Sequence, residues 1–266
     1  MIGRKAAVGL SLLCALVFCA FVAQSASAAI GTTAYTCIPD SEHELPGFKD
    51  AHCAEPAKTA PEVNFKHKAI KQDEKTIVHG TNEKTSADTK SATAMTLKST
   101  LNKEPAEITC EKVFAHGGLV NRIDTEVKDH YIEGEAGITI LYTGCKFLKP
   151  GTCKLKEEKI EVTGVRANTL EQGHNVSFEP PEGSKVFVTL SVENCFGITK
   201  IPIEAFALWG QVKGATIEFS EAETTKDKSL KFNKELAGLE GKITISQAEK
   251  TEESGKTGNA ISATTQ

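Results

Sequence analysis

The tightest group of chemically competent side chains lies near the start of the chain, in the segment Phe48-Lys49-Asp50-Ala51-His52-Cys53. Asp50, His52 and Cys53 could together bind a metal ion, or could form a thiol nucleophile with its own base. In the alternative interpretation, Cys53 is oxidised, Asp50 caps a turn and His52 is a partly buried loop residue. Folding outside the cytoplasm favours this alternative, because disulfides persist there. An oxidised sulfur is not a nucleophile.

The first residues of the chain predict export. Arg4 and Lys5 precede the uncharged stretch Ala6–Ala23, and Ala26-Ser27-Ala28 has the small-residue pattern that signal peptidase cleaves. We expect residues 1–28 to be a signal peptide and the protein to be secreted, extracellular or in the cell envelope. An uncleaved leader acting as a membrane anchor is the alternative, since the stretch approaches the length of a spanning helix.

Cysteine usage agrees with export. The chain has eight cysteines, and removing the two in the leader leaves an even number, which predicts three disulfides in an oxidising compartment. Sequence alone does not select among the pairings that six cysteines allow. Proximity along the chain favours the pairs Cys37–Cys53 and Cys145–Cys153, together with the long-range pair Cys110–Cys195. A zinc site is disfavoured, because no two Cys-x-x-Cys pairs supply four thiolates.

Other catalytic or ligand-binding patterns are weak. No Gly-x-Ser-x-Gly hydrolase elbow is present, and the spacing of five other histidines places no two of them on a single element for chelation. These are His67, His79, His116, His130 and His174. We therefore predict no catalytic, cofactor-binding or metal-binding residue and no cofactor.

Paired carboxylates leave one enzymatic alternative open. An extracellular hydrolase acting on polysaccharide needs two acids that the fold brings together. The candidate pairs are Glu133 with Glu135, Glu204 with Glu218, and Glu157 with Glu158. Solvated strand faces explain most such coincidences in a chain with 35 acidic residues.

Charge and composition exclude further classes. The chain has 266 residues, of which 39% are hydrophobic, 25% charged and 6% aromatic. Removal of Arg4 and Lys5 with the leader leaves 31 − 2 = 29 basic residues against 35 acidic ones, which gives a net charge of −6. Only two arginines remain, which disfavours binding to nucleic acid. A basic stretch could contact an anionic cell-wall polymer or lipid headgroups, although such lysines more often form a solvated face. Its members are Lys66, Lys68, Lys71 and Lys75.

The apolar pattern predicts β-strands. Val186, Val188, Leu190 and Val192 alternate with more polar residues, as in a half-buried strand. Similar runs are separated by turn signals such as Gly117-Gly118, Lys149-Pro150-Gly151, Pro180–Gly183 and Lys213-Gly214. Helical periodicity is thin, so we expect at most one or two short helices. The chain is predicted to be all-β, an antiparallel β-sandwich of about ten to twelve strands.

Composition shifts suggest the domain organisation. Residues 29–60 carry prolines and two cysteines and predict an irregular N-terminal arm held by its own disulfide, with Phe48 docked on the main body. The sandwich domain is predicted over 61–250, with the boundary at Ala60-Pro61. Residues 251–266 contain a single sizeable apolar residue, Ile261, and predict a flexible tail.

Several short segments resemble exported actinobacterial proteins to which no activity has been assigned. They are Tyr35-Thr36-Cys37, Phe48–Cys53, Tyr142-Thr143-Gly144-Cys145, Phe178-Glu179-Pro180 and Ala237–Gly241. The resemblance implies a Gram-positive secreted or envelope setting and carries no ligand or catalytic residue. Together these features predict a non-enzymatic binding or structural module of the cell exterior, whose partner could be a cell-wall polymer or another surface protein.

Overall fold

The computed structural model describes residues 32–82, 94–123, 130–169, 175–225, 228–248 and 257–265. The predicted signal peptide, residues 1–28, lies outside the described residues. The strands are β1 Thr32–Pro39, β2 Phe65–Ala69, β3 Thr76–Thr81, β4 Met95–Leu101, β5 Glu104–Ile123, β6 His130–Lys149, β7 Lys154–Leu155, β8 Ile160–Asn168 and β9 Asn175–Glu179. They continue with β10 Val186–Cys195, β11 Ile198–Glu204, β12 Leu208–Lys213, β13 Thr216–Phe219, β14 Lys231–Phe232, β15 Glu235–Leu236, β16 Gly238–Ala248 and β17 Thr257–Thr265.

Helical structure in this part of the chain is limited to two short pieces. Ala60–Glu62 forms a turn of 3-10 helix, and Glu221–Thr224 forms helix α1. Both agree with the expectation of one or two short helices. No helix among the described residues has the length and apolar character needed to cross a membrane.

The protein is all-β with antiparallel strand pairing, as predicted, and the larger sheet closes on itself. Strand β16 pairs with β3 on one side and with β13 on the other, so that Thr244 faces Thr81 and Thr216. Following the pairings from β3 through β5, β6, β8, β9, β12 and β13 leads back to β16. These eight strands form a closed ring, called the ring below, whose inward side chains face a shared interior.

The two longest strands, β5 and β6, have 20 residues each. Gly117-Gly118 was predicted to break the chain between strands, but it lies inside β5. The pairing register shifts between His116 and Leu119, so the glycines form an irregularity within a continuous strand. A Cβ atom on Gly117 would lie 2.7 Å from Ile138 Cγ1, which explains why a residue without a side chain is needed there.

A smaller sheet with the order β15-β14-β11-β10-β7 packs over one end of the ring. Its buried residues Leu190, Val192 and Ile201 belong to the same hydrophobic cluster as Ile108 and Val113 of β5. The alternation predicted for β10 is present, since Leu190 and Val192 are buried while Thr189 and Ser191 are exposed. We call the space between the smaller sheet and the ring the upper core.

Strand number exceeds the expected ten to twelve. Strands β7, β14 and β15 contain two residues each. Such short strands cannot show a period of two in the sequence. They are defined instead by pairing with longer neighbours, as β14 pairs with β11.

Three disulfides link the six cysteines, but only one of the favoured pairings is present. Cys37 bonds to Cys53, whereas the other bonds are Cys110–Cys145 and Cys153–Cys195. The expected pairs Cys145–Cys153 and Cys110–Cys195 were wrong. Cys110 and Cys145 are direct partners in the register of β5 and β6, so strand pairing brings them together despite a sequence separation of 35.

The predicted irregular arm and flexible tail both form strands. Strand β1, inside the predicted arm 29–60, pairs with β2 and with β17. Strand β17 occupies Thr257–Thr265 of the predicted tail 251–266, and its Ile261 is only 4% exposed. The expectation failed because low apolar content does not prevent a segment from completing a sheet that already exists. The boundary at Ala60-Pro61 and the domain limits stay predictions.

Candidate functional site

The interior of the ring contains a cavity of about 110 Å³. Its wall consists of inward side chains that are almost entirely apolar, among them Val78, Ile132, Val176, Phe178 and Ile243. No Asp, Glu, Lys or Arg side chain lines it. Such a cavity excludes ions and favours small uncharged molecules, because a buried charge without a partner is strongly disfavoured.

Small residues at inward positions create this space. Glycine or alanine occupies inward positions on five of the eight ring strands or at their ends, namely Gly80, Ala115, Gly134, Ala167 and Ala215. A Cβ atom on Gly80 would lie 3.0 Å from Ile245 Cδ1 and 3.2 Å from the Cβ of Ala115. Larger residues at these positions would fill the interior, as side chains do in other eight-stranded closed sheets.

The lower end of the ring is closed by a second, smaller apolar cluster, which we call the floor. It is formed by Ala34 on β1, Ile132 on β6 and Ile261 on β17. All three side chains also line the cavity. The segments predicted to be an arm and a tail therefore complete the wall of the candidate site.

A single buried amide attaches β1 to the ring. The Asn121 side chain, 4% exposed, accepts a hydrogen bond from the Ala34 N–H at 2.9 Å and donates to the Ala34 carbonyl at 3.0 Å. It also donates to the Ile70 carbonyl at 3.0 Å. Three bonds from one amide satisfy backbone groups that the sheet pairing leaves open, so Asn121 fixes the position of Ala34 at the cavity.

The loop that carries Asp50, His52 and Cys53 also contacts this end of the ring. The His52 carbonyl accepts a hydrogen bond from Ala215 N–H at 3.2 Å, next to the turn at Gly214. Gly214 has a φ of +57°, and a Cβ there would lie 2.8 Å from the His52 carbonyl oxygen. Glycine is required at this turn because of its positive φ and because the His52 carbonyl leaves no room for a side chain.

The polar groups of that loop are engaged in structural contacts. The Asp50 carboxylate accepts hydrogen bonds from the backbone N–H groups of His52 at 2.9 Å, Ala54 at 3.1 Å and Glu55 at 2.7 Å. Cys53 is bonded to Cys37. Asp50, His52 and Cys53 therefore form a capped turn next to a disulfide, as the alternative interpretation of the sequence predicted. They offer no thiolate for chemistry.

The polar residues that line the cavity are His116, Asn168 and Thr169. The Thr169 hydroxyl accepts a hydrogen bond from the Ile132 N–H at 2.9 Å. The Asn168 side chain donates to Glu179 at 3.4 Å. Both residues line the cavity, and their contacts with the protein leave apolar packing as the main interaction available to a bound molecule.

A second cavity of about 100 Å³ lies in the upper core. It is lined by larger side chains, including Met95, Tyr142, Phe187 and Leu230. Burial raises the pKa of Tyr142 to about 12, so its hydroxyl stays protonated in this apolar environment. We regard this second cavity as part of the packing between the two sheets.

The predicted basic stretch is largely neutralised. Lys66 lies 2.9 Å from Asp40, Lys71 lies 3.7 Å from Glu74, and Lys75 lies 2.5 Å from Glu135. The hydrogen bond from Lys66 is the main cause of the lowered pKa of Asp40. Lys68 lines a polar surface groove of about 280 Å³, together with Lys71 and Glu74. Three of the four lysines therefore lie beside an acidic side chain, which reduces the net positive charge of this surface.

The carboxylate pairs considered for a hydrolase do not converge on a cleft. Glu133 is paired with Arg122 at 2.8 Å, and Glu218 is paired with Lys213 at 2.6 Å. Glu204 lies on β11 of the smaller sheet, whereas Glu218 lies on β13 of the ring. Glu157 and Glu158 precede β8 in a connecting segment, and neither of them lines the cavities described above.

The histidines fall into separate environments. His67 packs between the rings of Tyr35 and Phe48, at centroid distances of 4.7 Å and 4.4 Å. His79 on β3 lies opposite His116 on β5. His130 begins β6, and His174 lies outside the described residues. In the part of the chain that the structure describes, no three His, Cys, Asp or Glu residues form a metal-binding group.

Comparison with known proteins gives no match. No family model matches the sequence, and neither the curated proteins nor the solved structures include a match to this chain. The resemblance to exported actinobacterial proteins stays a prediction.

The sequence did not identify the residues that form the cavity. Gly80, Gly134 and Ala167 looked like ordinary small residues in or between strands. The available signal for a cavity was that small residues alternate with apolar ones on the same strand face, as Gly80 does two positions after Val78. Only closure of the ring shows that these positions face one shared space.

Proposed function

We propose that this protein is an exported, non-enzymatic binding module that holds a small uncharged apolar molecule inside its ring. The observation that carries the proposal is the apolar cavity of about 110 Å³ surrounded by the eight strands of the ring. An engineered apolar cavity of about 150 Å³ binds benzene or xenon. The expected ligand is therefore about the size of benzene.

The exported part of the proposal rests on two features. Three intramolecular disulfides are typical of an oxidising, extracellular compartment. The leader pattern before Ala29 supports export independently. Mass spectrometry of protein recovered from the culture medium should give an N-terminus at Ala29, and a retained leader would contradict this part.

Ligand binding is tested with probes of increasing size. Xenon and benzene should raise the melting temperature of the mature protein in a saturable manner, because a ligand that binds only the folded state stabilises it. Naphthalene, which exceeds the cavity, should leave the melting temperature unchanged. Equal stabilisation by benzene and naphthalene would show nonspecific binding and would overturn the proposal.

A filled cavity provides the matched test. Ala115→Leu adds three carbon atoms at the wall and should abolish the effect of benzene, whereas Ala60→Leu, at an exposed position in the 3-10 helix, should leave it intact. Ala167→Val is the milder second variant if Ala115→Leu does not fold. Benzene binding that is unchanged in a folded filled variant would place the site elsewhere.

A further inference from the structure

We infer that His79 and His116 form a binding site for a borderline transition-metal ion, such as Cu²⁺ or Zn²⁺, on the outer wall of the ring. The two imidazoles lie on the outer face of the wall, although His116 is also among the residues that line the cavity. The site uses a pair of residues that the sequence did not connect, because 36 residues separate them along the chain.

Strand pairing holds the two imidazoles side by side. His79 on β3 and His116 on β5 are direct partners in the antiparallel register, with ring centroids 5.0 Å apart. Their neighbours Gly80 and Ala115 face the cavity. Because successive residues of a strand point to opposite faces, both histidines project from the outside of the ring.

The separation of the rings fits a shared metal ion. Imidazole nitrogens bind such ions at about 2.0–2.1 Å, which places each ring centroid about 3.2 Å from the metal. For angles at the metal between about 90° and 110°, the two centroids would be about 4.5–5.2 Å apart. The observed distance of 5.0 Å lies within this range, so chelation needs only side-chain rotation and no movement of the strands.

The surroundings define the class of ion. Phe114 packs against His79 with a centroid distance of 5.1 Å and forms an apolar side to the pair. No third His, Cys, Asp or Glu completes the group within the described ranges, so water would fill the other coordination positions. Imidazole ligands favour Cu²⁺ and Zn²⁺, whereas Mg²⁺ and Ca²⁺ require oxygen ligands.

Titration of the mature protein with Cu²⁺ tests the inference. Calorimetry should show one ion per chain at this site, and electron paramagnetic resonance should show coupling to two imidazole nitrogens. Zn²⁺ should compete for the site, while Mg²⁺ in tenfold excess should have no effect. Failure to bind Cu²⁺, or a spectrum without nitrogen coupling, would overturn the inference.

Single substitutions locate the ion. His79→Gln and His116→Gln should each weaken Cu²⁺ binding at least tenfold, because each removes one of two protein ligands. His130→Gln, which changes a histidine elsewhere on the ring, should bind like the unchanged protein. His116 is exposed, so His116→Gln keeps the test valid even if His79→Gln disturbs folding. Binding that survives both substitutions would place the ion elsewhere and contradict the site.

Discussion

The upper core and the floor are stabilised by different kinds of contact. In the upper core, large side chains such as Phe232, Leu190 and Ile201 pack between two sheets. The floor has only three buried apolar residues, and it is attached through the Asn121 amide, the Cys37–Cys53 disulfide and the stack around His67. Where the buried apolar area is small, directional and covalent contacts hold the strands in place.

The largest effect is expected from truncation in the upper core. Phe232 is 1% exposed and packs edge-on against Phe147 at a centroid distance of 6.3 Å. Phe232→Ala should lower the free energy of unfolding by about 3–5 kcal/mol, measured by urea denaturation. Phe206→Ala, at a residue that is 68% exposed, is the control and should cost less than about 1 kcal/mol. Similar losses in both variants would contradict the assignment of the upper core.

Removal of the floor disulfide should have the next largest effect. The bond between Cys37 and Cys53 closes a sequence separation of 16 residues. The double variant Cys37→Ser, Cys53→Ser should lose about 3 kcal/mol of stability. Hydrogen exchange should become faster in β1 and β2 before it changes in β10 and β11. A uniform increase across all four strands would show that the floor and the upper core unfold as one unit.

Loss of the Asn121 amide tests the directional contacts of the floor. Asn121→Ala leaves the backbone groups of Ala34 without their partner and should cost about 1–3 kcal/mol. Asn64→Ala is the matched control, because the exposed Asn64 amide also donates to two backbone carbonyls in this region. It should change stability by less than about 0.5 kcal/mol. Equal costs for the two variants would show that burial of Asn121 contributes nothing.

The smallest effect is a pH dependence caused by His67. Burial lowers the pKa of His67 below its ordinary value of 6.5, so the unfolded chain binds a proton more readily than the folded one. Stability should be highest above pH 6.5 and should fall as the pH decreases from there toward the folded-state pKa. His67→Phe keeps a ring between Tyr35 and Phe48 and removes the titration.

Urea denaturation at about pH 7.5 and about pH 5.5 measures this difference. The loss of stability between the two values should be smaller in His67→Phe than in the unchanged protein. Part of the loss should remain, because burial also lowers the pKa of His79. An identical loss in both proteins would exclude His67 as a source of the pH dependence.

Much of the fold could be predicted from local patterns. The alternation of Leu190 and Val192 with polar neighbours identified β10 and its buried face, and the turn at Lys213-Gly214 separates β12 from β13 as expected. These features depend on residues within a few positions of one another.

Features that depend on distant residues could not be predicted. The bond Cys110–Cys145 follows from the register of β5 and β6, and closure of the ring follows from β16 pairing with both β3 and β13. The cavity exists only because the ring closes, and the His79–His116 pair exists only because β3 pairs with β5. Strand β17 was missed for the same reason, since its polar sequence is ordered by its neighbours.

The position of β17 between β16 and β1 also constrains the order of folding. Strand β1 emerges first among the described strands, yet its partner β17 is synthesised more than two hundred residues later. Pairings this distant in sequence form late, because a long loop must first be closed. A nascent chain would thus lack its finished lower end until synthesis has passed β17.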